Sequence, residues 1–553
     1  MLLKEWEIWH TYSTYFTDPI PSLQTVAKNL VQSNLLKSAF LDNGEAYWLD
    51  KGELITGKAD VKLNSDRSTG LIIFGENFPK DYAGEALFQS AKLRFSEMRI
   101  FSEDENFTPR YLRGYLGECK LIPQNGYNYR IYPMIKLYET GTLLVEFRIM
   151  SPDIKINLEE FVDKFVNLFK WKFHQAYIPP SLHSIYHHTC FLNETPKMLF
   201  YNRLRFFSLS HNLQSYIDNT TTVETSGDFS FEFVPLLNPS ENTNNKTKDG
   251  NFEYEQRDFF LANLADMIFH SVGFVAGGKR QGLSFLLHGP KKPLNIGNFW
   301  SGRPQIHITQ FDGQKNKASE NEKSFKSELG WIMGRVTRKK PETGERYLPK
   351  NSRFFEDYGA YIAAQGTLWV WAKQGLRQEK SWSDPNRGHL VYENQVKCEF
   401  LDYGYMHYRR LAEVSGYLEK TNEILSLRQD LVQLEIKLNE APVYGEIRDM
   451  MMQGWENMGV NQLKSVITEM SAIRQTQATI LEERHNFIWQ TVLTLVFGLL
   501  AIPSIASQLI KPIWELSGLP RSPIESLAAL DDMAVAFPLV LALILALWKV
   551  LKK

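Results

Sequence analysis

Cysteine is scarce in this chain: Cys119, Cys190 and Cys398 are the only three in 553 residues. An odd number of widely separated cysteines excludes a disulfide framework and fits a reducing cytosol. An excess of charge of one sign is also lacking. The formal net charge is −1, which argues against a generic nucleic-acid surface. The opening residues, Met1-Leu2-Leu3-Lys4-Glu5-Trp6-Glu7, hold no uninterrupted apolar run, so no secretory signal is expected. No internal repeat is visible. No nucleophile elbow, zinc-protease motif or paired catalytic signature occurs, so neither an enzyme nor a cofactor is expected.

Long hydrophobic runs are missing too, until the last seventy residues. From Asn486 to Ile510 there is no charged side chain. A helix of that length rises roughly 37 Å, against a hydrocarbon core about 30 Å thick. A polar stretch follows from Lys511 to Asp532, and a second apolar run from Met533 to Trp548. The sequence therefore predicts two C-terminal transmembrane helices, 486–510 and 533–550, joined by an outer loop, 511–532. Lys549, Lys552 and Lys553 follow Trp548, whereas the loop sets Lys511 and Arg521 against Glu515, Glu525, Asp531 and Asp532. Positive ends stay inside, so both termini are expected in the cytoplasm.

What is there in quantity is aromatic side chains, 13% of the chain, enough to build cores. The length allows roughly two or three domains before the membrane. The expected fold class is α+β (mixed α/β): a cytoplasmic region followed by long stalk helices and the two transmembrane helices. Asn238 to Gly250 and Gly313 to Asn321 are polar and loop-like. The expected divisions are 1–237, a linker at 238–256, a second α/β region at 257–404 and a helical stalk at 405–485. Tyr129 to Tyr138 and Thr142 to Ile149 flank Glu139-Thr140-Gly141 as a hairpin. Asn157, with Glu160 three residues on, caps a helix whose apolar face is Leu158, Phe161, Val162, Phe165 and Phe169. Asp258 to Val272 reads as an amphipathic helix, Leu283 to His288 as a strand, and Gly366 to Ala372 as another strand or a buried segment.

The stalk has two seams. Ile424, Leu427, Leu431, Leu434 and Leu438 step by three and four, until Ala441-Pro442 breaks the ladder. Leu463, Val466, Met470, Ile473 and Ile480 form the second, with Gln477 in line. It runs through Glu482-Glu483-Arg484-His485 into the first apolar run without Gly or Pro, which favours self-association of three or more chains. Within that run Asn486, Gln490, Thr494, Ser504 and Gln508 fall inside about 80° of a helical wheel. Lipid disfavours such a polar stripe, so these five are the candidate pore-lining residues. Back-bonding of Ser and Thr to their own helix, and Gln joining helices, is the competing reading.

This order of parts resembles the CorA family of magnesium transporters over roughly Tyr405 to Lys553. The resemblance implies a homo-oligomer in the bacterial inner membrane that passes inorganic ions. The family's Gly-Met-Asn tripeptide is missing. The corresponding region reads Ile510-Lys511-Pro512-Ile513-Trp514-Glu515, so no selectivity residue carries over. CorA-like effectors of bacterial antiviral systems, including those beside type III CRISPR loci, share the design and answer to a nucleotide-type messenger.

An anionic ligand of that type needs cations. Gly273-Phe274-Val275-Ala276-Gly277-Gly278-Lys279-Arg280 almost matches a phosphate-binding loop. Arg280 stands where Ser or Thr would bind magnesium, and the preceding segment reads as helix, which excludes an ATPase. An anion nest at Lys279 and Arg280 stays open beside a plain glycine turn. Arg335, Arg338, Lys339 and Lys340, with Arg346, Lys350 and Arg353, flank a turn at Pro341-Glu342-Thr343-Gly344. They form a second candidate ligand site or a solvated hairpin. His183, His187, His188 and Cys190 lack the companions of a known zinc pattern. The resulting expectation is a homo-oligomeric CorA-like channel or pore-forming effector, gated by a ligand-sensing cytoplasmic domain. A divalent-cation transporter and a membrane-anchored enzyme are the alternatives.

Overall fold

The computed structural model describes residues 1–505 except 66, 68–69, 76, 105, 124–126, 152–153, 195–200, 238–257, 280–291, 337–340, 354 and 382–389, together with isolated positions between 507 and 542. Two compact units emerge: Met1–Glu413 with Asp430–Val466, and Val414–Gln429 with Ile467–Lys553. The linker expected at 238–256 and the strand expected at 283–288 lie outside the described residues.

The first unit is built on a sheet. Its strands are β1 (Leu2–Tyr15), β2 (Ser38–Leu41), β3 (Glu45–Asp50), β4 (Glu53–Leu63), β5 (Gly70–Phe74), β6 (Tyr111–Tyr115), β7 (Cys119–Pro123), β8 (Tyr129–Tyr138), β9 (Thr142–Met150), β10 (Ile156–Asn157), β11 (Phe173–Ile178), β12 (Thr222–Ser226), β13 (Phe229–Leu237), β14 (Trp300–Phe311), β15 (Tyr358–Ala363) and β16 (Gly366–Trp371). The main path runs β15-β16-β14-β1-β9-β8-β6-β2-β3-β4-β5. A branch leaves β8 through β7, β11 and β13 to β12. β14 and β16 are parallel, while β1 is antiparallel to β14, to β9 and, at its start, to the short β10. The stretches expected as separate α/β regions thus meet in one sheet, since β14 pairs along β1. The expected hairpin is β8–β9, turned by Gly141 at φ +87°, a left-handed conformation that glycine adopts without cost.

The helices that matter below are α1 (Leu23–Gln32), α2 (Tyr82–Ile100), α3 (Pro180–Glu194), α4 (Tyr201–Thr220), α5 (Leu261–Ala276), α6 (Ala318–Gly334), α7 (Pro341–Tyr347), α8 (Lys373–Ser381), α9 (Leu390–Ser415), α10 (Thr421–Glu440), α11 (Gly445–Asn457) and α12 (Val460–Ile505). Local chemistry sets their starts. The Ser22 side chain accepts from Thr25 N at α1, and Asp81 accepts from Ala83 N and Gly84 N at α2. Asn157 caps the expected helix by accepting from Glu160 N. That helix then winds as a π-turn over Phe161–Val166 rather than as regular α.

Alternation along β1 divides the sheet into two faces. Trp6, Ile8 and Tyr12 point into a core shared with Phe147 and Ile149 of β9, Ile306 and Ile308 of β14, and buried residues of α1, α5 and α6. The opposite face carries charge and is covered by α9 and α2.

The two C-terminal transmembrane helices expected from the sequence are not supported. Among the described residues no helix is long and apolar enough to cross a membrane. The first apolar run enters α12, where Asn486, Gln490, Thr491 and Thr494 interrupt it close behind Glu482, Glu483 and Arg484. The second, Met533 to Trp548, falls largely outside the described residues. The first seam matches α10: Ile424, Leu427, Leu434 and Leu438 are buried. The second does not bury itself, for Val466, Ile473 and Ile480 stay 45%, 51% and 58% exposed.

Candidate functional site

The charged face of the sheet is the most elaborate arrangement of functional groups in the first unit. Strand alternation brings Arg113 of β6, Lys136 of β8 and Glu146 and Arg148 of β9 to one side, with Arg303, Gln305 and His307 of β14. α9 lays Glu393, Gln395, Lys397, Glu399 and Asp402 against them, all buried or nearly so. Arg113 donates from both terminal nitrogens to Glu399, at 2.6 and 2.8 Å. Lys136 donates to the same carboxylate at 2.7 Å. Glu97 of α2 closes the group by accepting from Arg113 at 3.3 Å, from Lys136 and from the Tyr111 hydroxyl. Further along α9, Arg303 and Gln305 each donate to Asp402 at 2.7 Å. Lys397 donates to Glu393 at 3.0 Å and to the Tyr358 hydroxyl at 3.1 Å.

Protonation follows from who is paired. Burial would raise Glu399, but Arg113 and Lys136 hold it well below its ordinary value. Burial likewise opposes Glu393, yet Lys397 and Arg99 bring it down to about 2. Glu146 is the exception. Burial, reinforced by the negative charge of Glu399, pushes it well above the carboxylate range. One of its oxygens accepts from Gln395 at 2.9 Å, while the other finds no hydrogen bond among the described residues. This layer can hold α9 in one register, because every shift along the helix would separate desolvated opposite charges. The sequence carries one signal of it. Lys136, Glu146 and Arg148 sit at even positions inside runs that, apart from the half-buried Arg130 at the start of β8, are mostly apolar and aromatic.

A second feature is an open cleft of about 770 Å³ beside the start of α2. Lys37, Lys80 and Asp81 line it together with Asp228, Phe229 and Glu232 of the β12–β13 hairpin. The Tyr82 ring lies 4.8 Å from Phe231 and 5.8 Å from Phe229, edge-on to both. Burial lowers the pKa of Lys37, partly offset by Glu232 and Asp81.

The residues expected to bind an anion are placed differently. The glycine run closes α5: Gly277 N donates to Gly273 O, and Lys292 N and Leu294 N donate back to Gly278 O and Gly273 O. A Cβ on Gly277 would sit 1.9 Å from Lys292 O, so close backbone approach explains the glycine. The run forms the C-terminus of α5, with Gly277 as its cap. Lys279 is exposed just beyond it, and Arg280 lies outside the described residues. Arg335 ends α6 at φ +56° and lies over the Phe169 ring at 4.5 Å. Burial and then Arg303 bring its pKa down to about 10. Arg338, Lys339 and Lys340 are outside the described residues, and the expected turn at 341–344 is the first turn of α7. Arg353 is engaged with Asp357, Glu446 and the Tyr358 ring.

In the second unit, Asn486, Gln490, Ser504 and Gln508 are exposed. The Thr494 hydroxyl donates to Gln490 O at 2.7 Å, the back-bonded state that competes with pore lining. His183 stacks on Tyr216 and lies 4.4 Å from His187. Burial lowers both imidazoles, to about 3 and about 4. No cluster suited to a metal ion occurs among the described residues. No protein-family model, curated protein or solved structure matches this chain.

Proposed function

We propose that this chain is a homo-oligomeric, ligand-gated effector of CorA-like build that acts at the bacterial inner membrane as a channel or pore, with the first unit as its sensor. One observation carries the reading. From Ile488 to Leu500, α12 exposes Ile488, Trp489, Val492, Leu493, Val496, Phe497 and Leu500, each between 44% and 69%. Contiguous apolar surface of this kind marks a site of association with protein or lipid. The exposed stripe of Val466, Ile473 and Ile480, spaced by seven, supports association with further copies. The gating ligand is an anionic, nucleotide-type molecule, with Lys279 and Arg335 as described candidates and Arg280 and Arg338 to Lys340 beside them in sequence. Its differential affinity for two states of the assembly would move the gate.

Vesicles loaded with a self-quenching dye test this. Full-length protein with a nucleotide messenger should release dye, and Ile473→Glu together with Ile480→Glu should abolish both release and the oligomer seen by mass measurement in detergent. A detergent-solubilised monomer that releases no dye with any nucleotide would refute the reading.

A further inference from the structure

The cleft beside α2 was invisible as a motif, because its walls come from six separated stretches of chain. Its charge decides what it can hold. Two cations, Lys37 and Lys80, line it against three carboxylates, Asp81, Asp228 and Glu232. That balance opposes a polyanion, since each added phosphate charge would meet a site already net negative. It is also too mixed for a purely apolar guest. Asp81 is committed to capping α2 through Ala83 N and Gly84 N, so Asp228 and Glu232, both exposed on the hairpin, are the carboxylates that can answer a cation. In the same cleft the Lys37 ammonium donates to Asn34 at 3.1 Å. An ammonium has three donors, which leaves capacity for a carboxylate. Tyr82, Phe229 and Phe231 line the same cleft, with the Tyr82 ring edge-on to both phenylalanines, and such rings can pack against a further aromatic ring.

We infer that this cleft binds a small zwitterion with an aromatic body, of the aromatic amino-acid or short-peptide class: its carboxylate on the Lys37 side, its ammonium on the Asp228 and Glu232 side, its ring on the three aromatics. A cleft of about 770 Å³ lies within the usual range of small-ligand sites, roughly 300–1,000 Å³. The inference goes beyond the gating role proposed above and uses none of the residues assigned to the nucleotide. Burial of Lys37 supports it, because a desolvated ammonium gains most from an anionic partner.

Titration calorimetry on the full chain in detergent provides the test, with phenylalanyl-phenylalanine as probe. N-acetylated and C-amidated forms each delete one charge, and ATP serves as the polyanion. Saturable binding of the free dipeptide is expected, weakened at least tenfold by either cap, by Lys37→Met and by Asp228→Asn with Glu232→Gln. The carboxylate changes are at exposed positions, so their unfolding midpoint should match the parent and separate lost binding from lost folding. Absence of dipeptide binding, equal binding of the capped forms, or ATP binding that depends on Lys37 would each overturn the inference. Dye release plays no part in the measurement, so the gating proposal can fail while this one stands.

Discussion

The two faces of the central sheet solve the same problem with opposite chemistry. Both are sealed from water, and both draw on the same residues of β1, β9 and β14 taken alternately. On one face Ile8, Phe147, Ile306 and Ile308 are fully or almost fully buried among apolar neighbours, and the stabilisation is proportional to area. On the other, Arg113, Lys136, Glu146, Gln305, His307 and Glu399 are equally buried, and the stabilisation depends on pairing. An apolar interface tolerates small slides. A charged one does not, because each desolvated group must find its own partner. The difference teaches that α9 is located by specificity, whereas α1, α5 and α6 are held by bulk.

The largest effects should come from breaking either face singly. Phe147→Ala is expected to cost about 3–5 kcal/mol, as a transfer loss plus a cavity. Glu399→Ala should cost a similar amount, about 3–5 kcal/mol, by stranding Arg113 and Lys136 with Glu97 alone. Denaturant unfolding monitored by tryptophan fluorescence measures both. The faces separate when whole sets are exchanged. Replacing Glu97, Arg113, Lys136 and Glu399 together by apolar residues of like volume should recover most of the loss, leaving the protein level with the parent or about 1–4 kcal/mol more stable. If the quadruple variant is as damaged as Glu399→Ala, the charges do more than locate α9.

A medium effect should appear in pH. Glu393 is held down to about 2 by Lys397 and Arg99 against the opposing pull of burial, from an ordinary value of 4.5. A depressed carboxylate contributes stability above its unfolded value and loses it as pH falls through the folded one. The loss should therefore fall between about pH 5 and pH 2, on the order of 3 kcal/mol. Glu146 has the opposite sign. Burial raises it, so its contribution is fully present below its unfolded value and declines as pH rises above that. Glu393→Gln should flatten the acid limb of the stability curve, whereas Glu146→Gln should remove a penalty at neutral pH and leave the protein as stable or more so. A fall in neutral-pH stability on Glu146→Gln would show that the ionised form is the buried one.

Legibility in the sequence followed the same division. The β8–β9 hairpin, the Asn157 cap, the first seam and the strand at Gly366 could be read from alternation, caps and spacing, which are local. The charged layer could not, because Arg113 and Glu399 are far apart in the chain and meet only through sheet order. The close approach of Gly277 to Lys292 was not legible either, because no local pattern encodes that contact. The expected membrane helices failed for a related reason. Counting uncharged residues ignores the Asn, Gln and Thr side chains that interrupt the described part of the run.

The smallest expected effect lies at the edge of the apolar face. Ser22 caps α1, its hydroxyl accepting from Thr25 N at 3.3 Å, and α1 buries Val26, Ala27, Leu30 and Val31 against the sheet. Losing the cap leaves an orphan N–H at a helix end that water can reach, since both Ser22 and Thr25 sit in an exposed setting. Ser22→Ala should therefore cost about 1 kcal/mol, and Ser22→Asp, which keeps an acceptor and adds a favourable charge at the positive end of the helix dipole, should restore it. Because α1 is held by bulk, its burial should survive the loss. Hydrogen exchange should quicken only in its first turn, with Leu30 and Val31 still protected. Loss of protection through the whole helix would mean that α1, like α9, depends on a specific contact, and the contrast between the two faces would no longer hold.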